Sequence, residues 1–281
     1  MTEPVDDGGT RAARAPAARQ AGAPLLLLAA VGARDRTRAT LRTAFPRRRA
    51  RTAVVRSGEE LRTLVRTELV DGVIVDLGSG QESAWEAAAL ARDFPAIPFV
   101  AVASGRVADG PAIARAASLE LADVLIDGVD DAAVRALVTP LLFTSRFESA
   151  LAVAPAALCL TSPLQRAVWH ELVRRGGRSV RTEALAGELK VTREHLSRRF
   201  GEGGAPTLKR TIDFVRVLAA AELAKNPGYD VGAVATVLGF ASSSHLSSTA
   251  RRVVETRPSA LARLRAADLV ARFVETGGRT A

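Results

Sequence analysis

The stretch Leu185-Ala186-Gly187-Glu188-Leu189-Lys190-Val191-Thr192-Arg193-Glu194-His195-Leu196-Ser197-Arg198-Arg199-Phe200 decides how the chain is read. Leu185, Ala186 and Leu189 fall at helical spacing on one apolar stripe, and Leu196 and Phe200 form another. Lys190-Val191 between the stripes leaves room only for a tight turn. Thr192 then stands where a helix N-cap belongs, its hydroxyl able to accept from a free backbone N–H. Two short amphipathic helices joined this way predict a helix-turn-helix, whose second helix suits a major groove. On that helix Glu194, Ser197, Arg198 and Gly201 lie at i, i+3, i+4 and i+7, opposite the buried stripe. Taken alone, the stretch fits an ordinary helical hairpin with a solvated face almost as well.

A second copy decides between the two. Val234-Ala235-Thr236-Val237-Leu238-Gly239-Phe240-Ala241-Ser242-Ser243-Ser244-His245-Leu246-Ser247-Ser248-Thr249-Ala250 repeats the pattern about fifty residues later, with one extra turn residue. Leu246 and Ala250 correspond to Leu196 and Phe200, and Val234-Ala235 to Leu185-Ala186. Between the copies, Leu208, Ile212, Val215, Ala219 and Leu223 keep a helical stripe from Thr207 to Asn226.

Paired units on one linking helix resemble the DNA-binding domain of the AraC/XylS family of transcriptional regulators. The matching residues are Leu185-Ala186, Thr192, Leu196, Arg198, Phe200, Arg216, Gly239-Phe240, Leu246 and Pro258, over roughly residues 161–265. Departures are Ala205 and Glu255 where the family usually has glycine, Thr211 for tyrosine and Ala250 for phenylalanine. The resemblance implies double-stranded DNA as partner, with two recognition helices about 34 Å apart in successive major grooves. The residues expected to face DNA are Arg193, Glu194, Ser197 and Arg198 in the first unit. In the second they are Ser244, Ser247, Ser248, Arg251 and Arg252. Arginine can bind guanine through two hydrogen bonds and a carboxylate can accept from cytosine, so the first unit is expected to read bases. The serine-rich second unit is expected mainly to hold phosphates.

Charge agrees. The net charge is +9, and from Leu160 onward there are 20 Lys+Arg against 11 Asp+Glu, a difference of +9. The first 159 residues hold 19 of each and cancel. The excess therefore falls on the part carrying both units, as expected of a surface that displaces counterions from phosphates. The lone Cys159 excludes an intramolecular disulfide and a Cys-rich zinc site, and is expected to be a small buried hydrophobe in an apolar run. Pro24 to Val31 is too short to span a bilayer and is followed at once by Arg34, Asp35 and Arg36, so a cytoplasmic protein without a membrane segment is expected.

The front half alternates short apolar runs with helical ones. Strands are expected at Leu25–Ala30, Arg51–Val55, Gly72–Asp76, Phe99–Ala103 and Val124–Ile126, with helices near 35–45, 58–69, 81–93, 110–119 and 130–142. This predicts a parallel, flavodoxin-like α/β layer. Asp71-Gly72-Val73-Ile74-Val75-Asp76 and Ala122–Asp127 resemble two strands of response-regulator receiver domains. The chemistry of a receiver is incomplete. The first strand runs Ala29-Ala30-Val31-Gly32 where an acidic pair should stand, Ala103 replaces a hydroxyl residue, and Asp127 replaces a lysine. Asp76 remains as a doubtful phosphoacceptor, and no nucleophile with an activating base, metal cluster or cofactor motif accompanies it.

The fold class expected is a receiver-like α/β N-terminal domain plus an all-α double helix-turn-helix C-terminal domain. Its parts are a tail at 1–22, the α/β domain at 23–145, a linker or helical spacer at 146–160, the DNA-binding domain at 161–267, and a helix with tail at 268–281. In the DNA-binding domain, Ser162-Pro163 starts a helix whose buried stripe is Ala167, Val168, Leu172 and Val173, with Trp169 and His170 as packing and surface residues. The expected function is sequence-specific transcription regulation without catalysis, the α/β domain serving a second copy of the chain, a protein partner or an effector. Two alternatives stand beside it: a protein-interaction module with vestigial DNA binding, and a phosphorylated regulator using Asp76.

Overall fold

Five short runs of Val, Ala, Leu and Ile form one parallel sheet in the computed structural model, which describes residues 26–105 and 110–278. The tail expected at 1–22 lies outside those residues. The strands are β1 (Leu26–Val31), β2 (Ala50–Val55), β3 (Gly72–Asp76), β4 (Phe99–Ala103) and β5 (Asp123–Ile126), in the order β2-β1-β3-β4-β5. Between them run α1 (Asp35–Ala44), α2 (Gly58–Thr67), α3 (Glu82–Ala89) and α4 (Gly110–Ala117), and α5 (Asp131–Val138) follows β5. Successive residues of a strand point to opposite faces. Leu28 and Ala30 accordingly pack with Leu41, Val134 and Val138 on the α1 and α5 side. Leu27, Ala29 and Val31 pack with Leu61, Val65 and Trp85 on the α2 and α3 side. A sheet covered on both faces needs near-continuous apolar strands, and β3 is buried at every position.

Strand limits agree with the sequence to within one residue. Two expected helices are shorter. Residues 81–93 divide into α3 and a 3-10 turn at Leu90–Asp93, and α5 stops before Pro140, which sits in the turn Thr139–Leu141.

The stretch at 146–160 is largely helical. Helices α6 (Phe143–Ala150) and α7 (Ala154–Ala157) turn Phe143, Phe147, Leu151 and Leu158 into the apolar core of the C-terminal part. Cys159 is not the buried hydrophobe expected: it is exposed, with φ 55°. The turn that ends α7 sends Leu158 and Leu160 inward and leaves the residue between them outside.

Eight further helices complete the fold: α8 (Pro163–Arg174), α9 (Thr182–Glu188), α10 (Arg193–Phe200), α11 (Leu208–Leu223), α12 (Val231–Val237), α13 (Ser243–Val254), α14 (Pro258–Leu261) and α15 (Ala266–Gly278). In α8, Trp169 joins Val168, Leu172 and Val173 in the core, while Ala167, expected there, is exposed. The linking helix α11 was expected to bury one stripe. It buries thirteen residues, including Asp213 and Arg216, because α8, α12, α13, α14 and α15 pack around it.

The two parts are fastened together at the end of the sheet where the strands begin. Asp71, fully buried, accepts from Leu27 N (2.7 Å), from Thr144 Oγ1 and from Arg178 (2.6 Å). Farther along, Arg66 of α2 binds Asp230 and the Gly228 carbonyl, and Tyr229 donates to the Val65 carbonyl (2.7 Å) with its ring edge-on to Phe94. Asn226 accepts from Ala96 N (2.7 Å).

Candidate nucleic-acid interface

The two units have the same backbone construction. Each first helix, α9 or α12, ends in a Schellman turn, in which two N–H groups beyond the helix bond back to its last carbonyls. In the first unit these are Val191 N to Ala186 O (3.0 Å) and Lys190 N to Gly187 O (3.1 Å). In the second they are Phe240 N to Ala235 O (2.8 Å) and Gly239 N to Thr236 O (3.0 Å). The turn needs one residue of positive φ, supplied by Lys190 (55°) and Gly239 (68°). Each second helix is then capped by a hydroxyl, Thr192 from His195 N (3.2 Å) and Ser242 from His245 N (3.1 Å). Leu196 with Phe200, and Leu246 with Ala250, anchor α10 and α13 in one continuous core.

The outward face of α10 carries Arg193, Glu194, Ser197 and Arg198, all exposed. Arg193 pairs with Glu183 of α9 (3.1 Å), which ties the two helices together. Glu202, four residues beyond Arg198, is taken by Arg199 (2.8 Å). Among the described residues no ion pair holds Arg198. On α13, Ser244, Ser248, Arg251 and Arg252 are exposed and Ser247 is half-buried. Ser247 and Ser248 donate to carbonyls of their own helix, those of Ser243 (2.9 Å) and His245 (3.0 Å). Arg252 is turned back to Asp213 of α11 (2.9 Å), whereas Arg251 has no such pair among the described residues.

Two buried polar side chains hold the units in place. Gln165 on α8 completes a capping box with Ser162 and donates through Nε2 to the carbonyls of Phe200 (2.8 Å) and Glu202 (2.9 Å). It thereby satisfies the carbonyl that ends α10 and ties it to the turn beyond. Arg216 on α11 donates to the Leu238 carbonyl at the end of α12 (3.2 Å), and its guanidinium lies 3.7 Å from the centre of the Phe240 ring. Phe240 in turn meets His245 edge-on at 5.5 Å, so arginine, turn and α13 form one stack. Burial pushes the Arg216 pKa down from its usual value, and Asp213 opposes that shift. The sequence signalled Gln165 only through the Ser162-to-Gln165 capping spacing. Arg216 entered it only through the resemblance.

A second constellation lies where the strands of the α/β layer end. Asp76 is fully buried and carries Arg34 across its carboxylate, Nε at 3.0 and 3.1 Å and Nη2 at 2.9 Å, with Thr37 Oγ1 at 2.5 Å. Arg34 also lies 3.3 Å from Asp127, which Arg36 approaches at 3.2 Å. Cation and anion have exchanged places relative to the receiver pattern. An arginine follows β1 where acids were looked for, and an aspartate follows β5 where a lysine was. No spacing or motif in the sequence marks Arg34, whose partner Asp76 lies 42 positions away.

A family model described as a helix-turn-helix domain matches residues 185–264, from the first buried leucine of α9 to beyond α14, and so takes in both units. No curated protein matches. Among solved structures, a crystal structure of full-length FixJ from B. japonicum is similar at 13% identity, over 81% of this chain and 96% of that one, with a TM-score of 0.37. Residues 185–264 thus form a helix-turn-helix domain by sequence as well as by construction. No helix among the described residues is long and apolar enough to cross a membrane.

Proposed function

We propose that the protein is a sequence-specific regulator in which α10 and α13 enter successive major grooves of one duplex, so that a single chain grips two short elements. The observation that carries this is the repeated construction, a Schellman turn and a hydroxyl cap in each unit, set on a linking helix buried on every side. Arg198, exposed and without an ion pair among the described residues, together with Glu194 and Ser197, reads bases. Arg251 and the α13 hydroxyls hold phosphates, and Arg252 braces α13 against α11 through Asp213.

The α/β domain works without phosphoryl transfer. The Asp76 carboxylate is occupied by Arg34 and Thr37, which supports a fixed scaffold for a partner, an effector or a second copy of the chain.

Selection of genomic fragments by the purified full-length protein, with and without Arg198→Ala, tests the reading. The expected result is a motif of two elements about ten base pairs apart, one of them blurred by the substitution. Recovery of non-specific DNA alone would overturn it. Exposure to magnesium and a small phosphodonor is expected to leave Asp76 unmodified.

A further inference from the structure

The front half is neutral as a whole but not in space. From Arg34 to Arg56 there are nine arginines and one acidic residue, Asp35. Arg34 and Arg36 are committed to Asp76 and Asp127, Arg38 meets Asp35, and Arg51 meets Glu68. Arg42, Arg47, Arg48 and Arg49 are exposed and have no ion pair among the described residues. They lie at the end of α1 and in the turn leading into β2, whose backbone is closed by Arg49 N and Ala50 N to Pro46 O.

The turn is also placed at a particular end of the molecule. Ala50 pairs with Leu26, so the turn opens where β1 and β2 begin. At that same end Asp71 binds Leu27 N and the Arg178 guanidinium, and Arg178 follows closely on Arg175, which pairs with Glu188 of α9. The arginine turn therefore lies at the end of the layer that abuts the first helix-turn-helix unit. Beside it, Arg38, Arg42, Arg47 and Arg51 rim a groove of about 640 Å³ along the edge strand β2, where Val54 is exposed. Pairing of this edge with a second copy would set arginines against arginines, which disfavours that occupant. A row of phosphates suits guanidinium groups on charge and on hydrogen-bond geometry.

We propose that Arg47-Arg48-Arg49, with Arg42 beside them, bind backbone phosphates of the same duplex that the two units grip, outside the elements read by α10. The footprint then extends past the C-terminal domain, and the α/β layer contributes affinity without contributing sequence preference. This rests on the DNA-binding reading above.

The test uses the full-length protein and a long random-sequence duplex, with binding followed by fluorescence anisotropy over a range of salt concentrations. Each lost phosphate contact lowers the slope of log K against log salt by about 0.9, so R47Q/R48Q/R49Q should flatten it by up to about 3 units. The corresponding triple lysine variant should keep most of the slope, because charge and not fold is being altered. Arg198→Ala should flatten it by no more than one contact. Steep binding by the unaltered chain with an unchanged slope in the glutamine variant would overturn the proposal and turn the patch toward an acidic protein. No binding by the unaltered chain at any salt would overturn the DNA reading and this proposal with it.

Discussion

The guanidinium of Arg34 sits 2.9 Å from the carboxylate of Asp76 at the carboxyl end of β3, and the carboxylate has no exposure to solvent. A buried charge left without its partner is strongly destabilising. Arg34→Ala should therefore lower the unfolding free energy by about 3–5 kcal/mol in urea titrations, and adding Asp76→Asn should recover most of the loss. A single-variant loss of less than about 1 kcal/mol, the value of an exposed pair, would mean that the bridge does not hold the crevice together.

Arg216 is expected to matter to the second unit alone. Its bond to the Leu238 carbonyl and its stack on Phe240 fix the turn between α12 and α13. Arg216→Ala should cost roughly 2–3 kcal/mol, the loss of a charged hydrogen bond with its packing, since lysine or alanine cannot reproduce the flat stacked group. Hydrogen exchange should rise in α12 and α13 while α9 and α10 stay protected. Equal loosening of both units would contradict the assignment.

Lys190 and Gly239 occupy equivalent turn positions, and only the glycine is at ease with positive φ. Lys190→Gly should stabilise the first unit by up to about 1 kcal/mol, the left-handed penalty of roughly 1–2 kcal/mol less the added freedom of the unfolded chain. Gly239→Ala should do the reverse, with a new Cβ also pressing to 3.3 Å from Ser179. Thermal unfolding of the two variants gives the comparison.

Asp230 caps α12 through Ala233 N (2.7 Å) and meets Arg66 of α2, and its pKa is held below the ordinary carboxylate value first by that backbone bond and then, against some desolvation, by Arg66. A depressed folded-state pKa adds stability that is fully present above the unfolded value and is lost as pH falls through the folded one. Acidification below the normal carboxylate range should therefore weaken the contact between the α/β layer and the second unit. Asp230→Asn keeps an N-cap but loses the charge, so its stability should change less over the same acid window. Parallel acid titration curves for the two proteins would count against this role.

Under the proposed reading, α10 and α13 should fail differently. Arg198→Ala should relax base preference by about 1–3 kcal/mol at one position. Arg251→Ala should weaken binding to all sequences alike and flatten the salt dependence by about one contact. Equal loss of specificity from both would end the division of labour between α10 and α13.

Patterns that repeat along the chain were legible in the sequence, and contacts that cross it were not. Leu196 with Phe200 and Leu246 with Ala250 announce their helices through spacing, and β3 and β4 announce themselves as uninterrupted apolar runs. Gln165 reaching Phe200, Arg178 reaching Asp71 and Tyr229 reaching Val65 join residues 35 to 164 positions apart, and no periodicity marks such pairs. Cys159 misled because its neighbours are apolar, although the direction of its side chain is set by a turn. The linking helix α11 shows a single apolar stripe in its spacing, yet its polar residues Asp213 and Arg216 are buried too, Asp213 meeting Arg252 and Arg216 the Leu238 carbonyl.

The fastening of both units to one α/β layer, the first through Arg178 and Asp71, the second through Arg66, Tyr229 and Asn226, has a consequence for the DNA itself. If α10 and α13 grip one duplex as proposed, a hinged pair could follow its targets round the DNA, whereas a braced pair measures helical phase. Inserting about five base pairs between the two elements turns one of them to the far side of the duplex, half a turn of 10–10.5 base pairs away. A protein that binds as proposed must then surrender one element, whereas a full-turn insertion restores the facing but moves it out of reach.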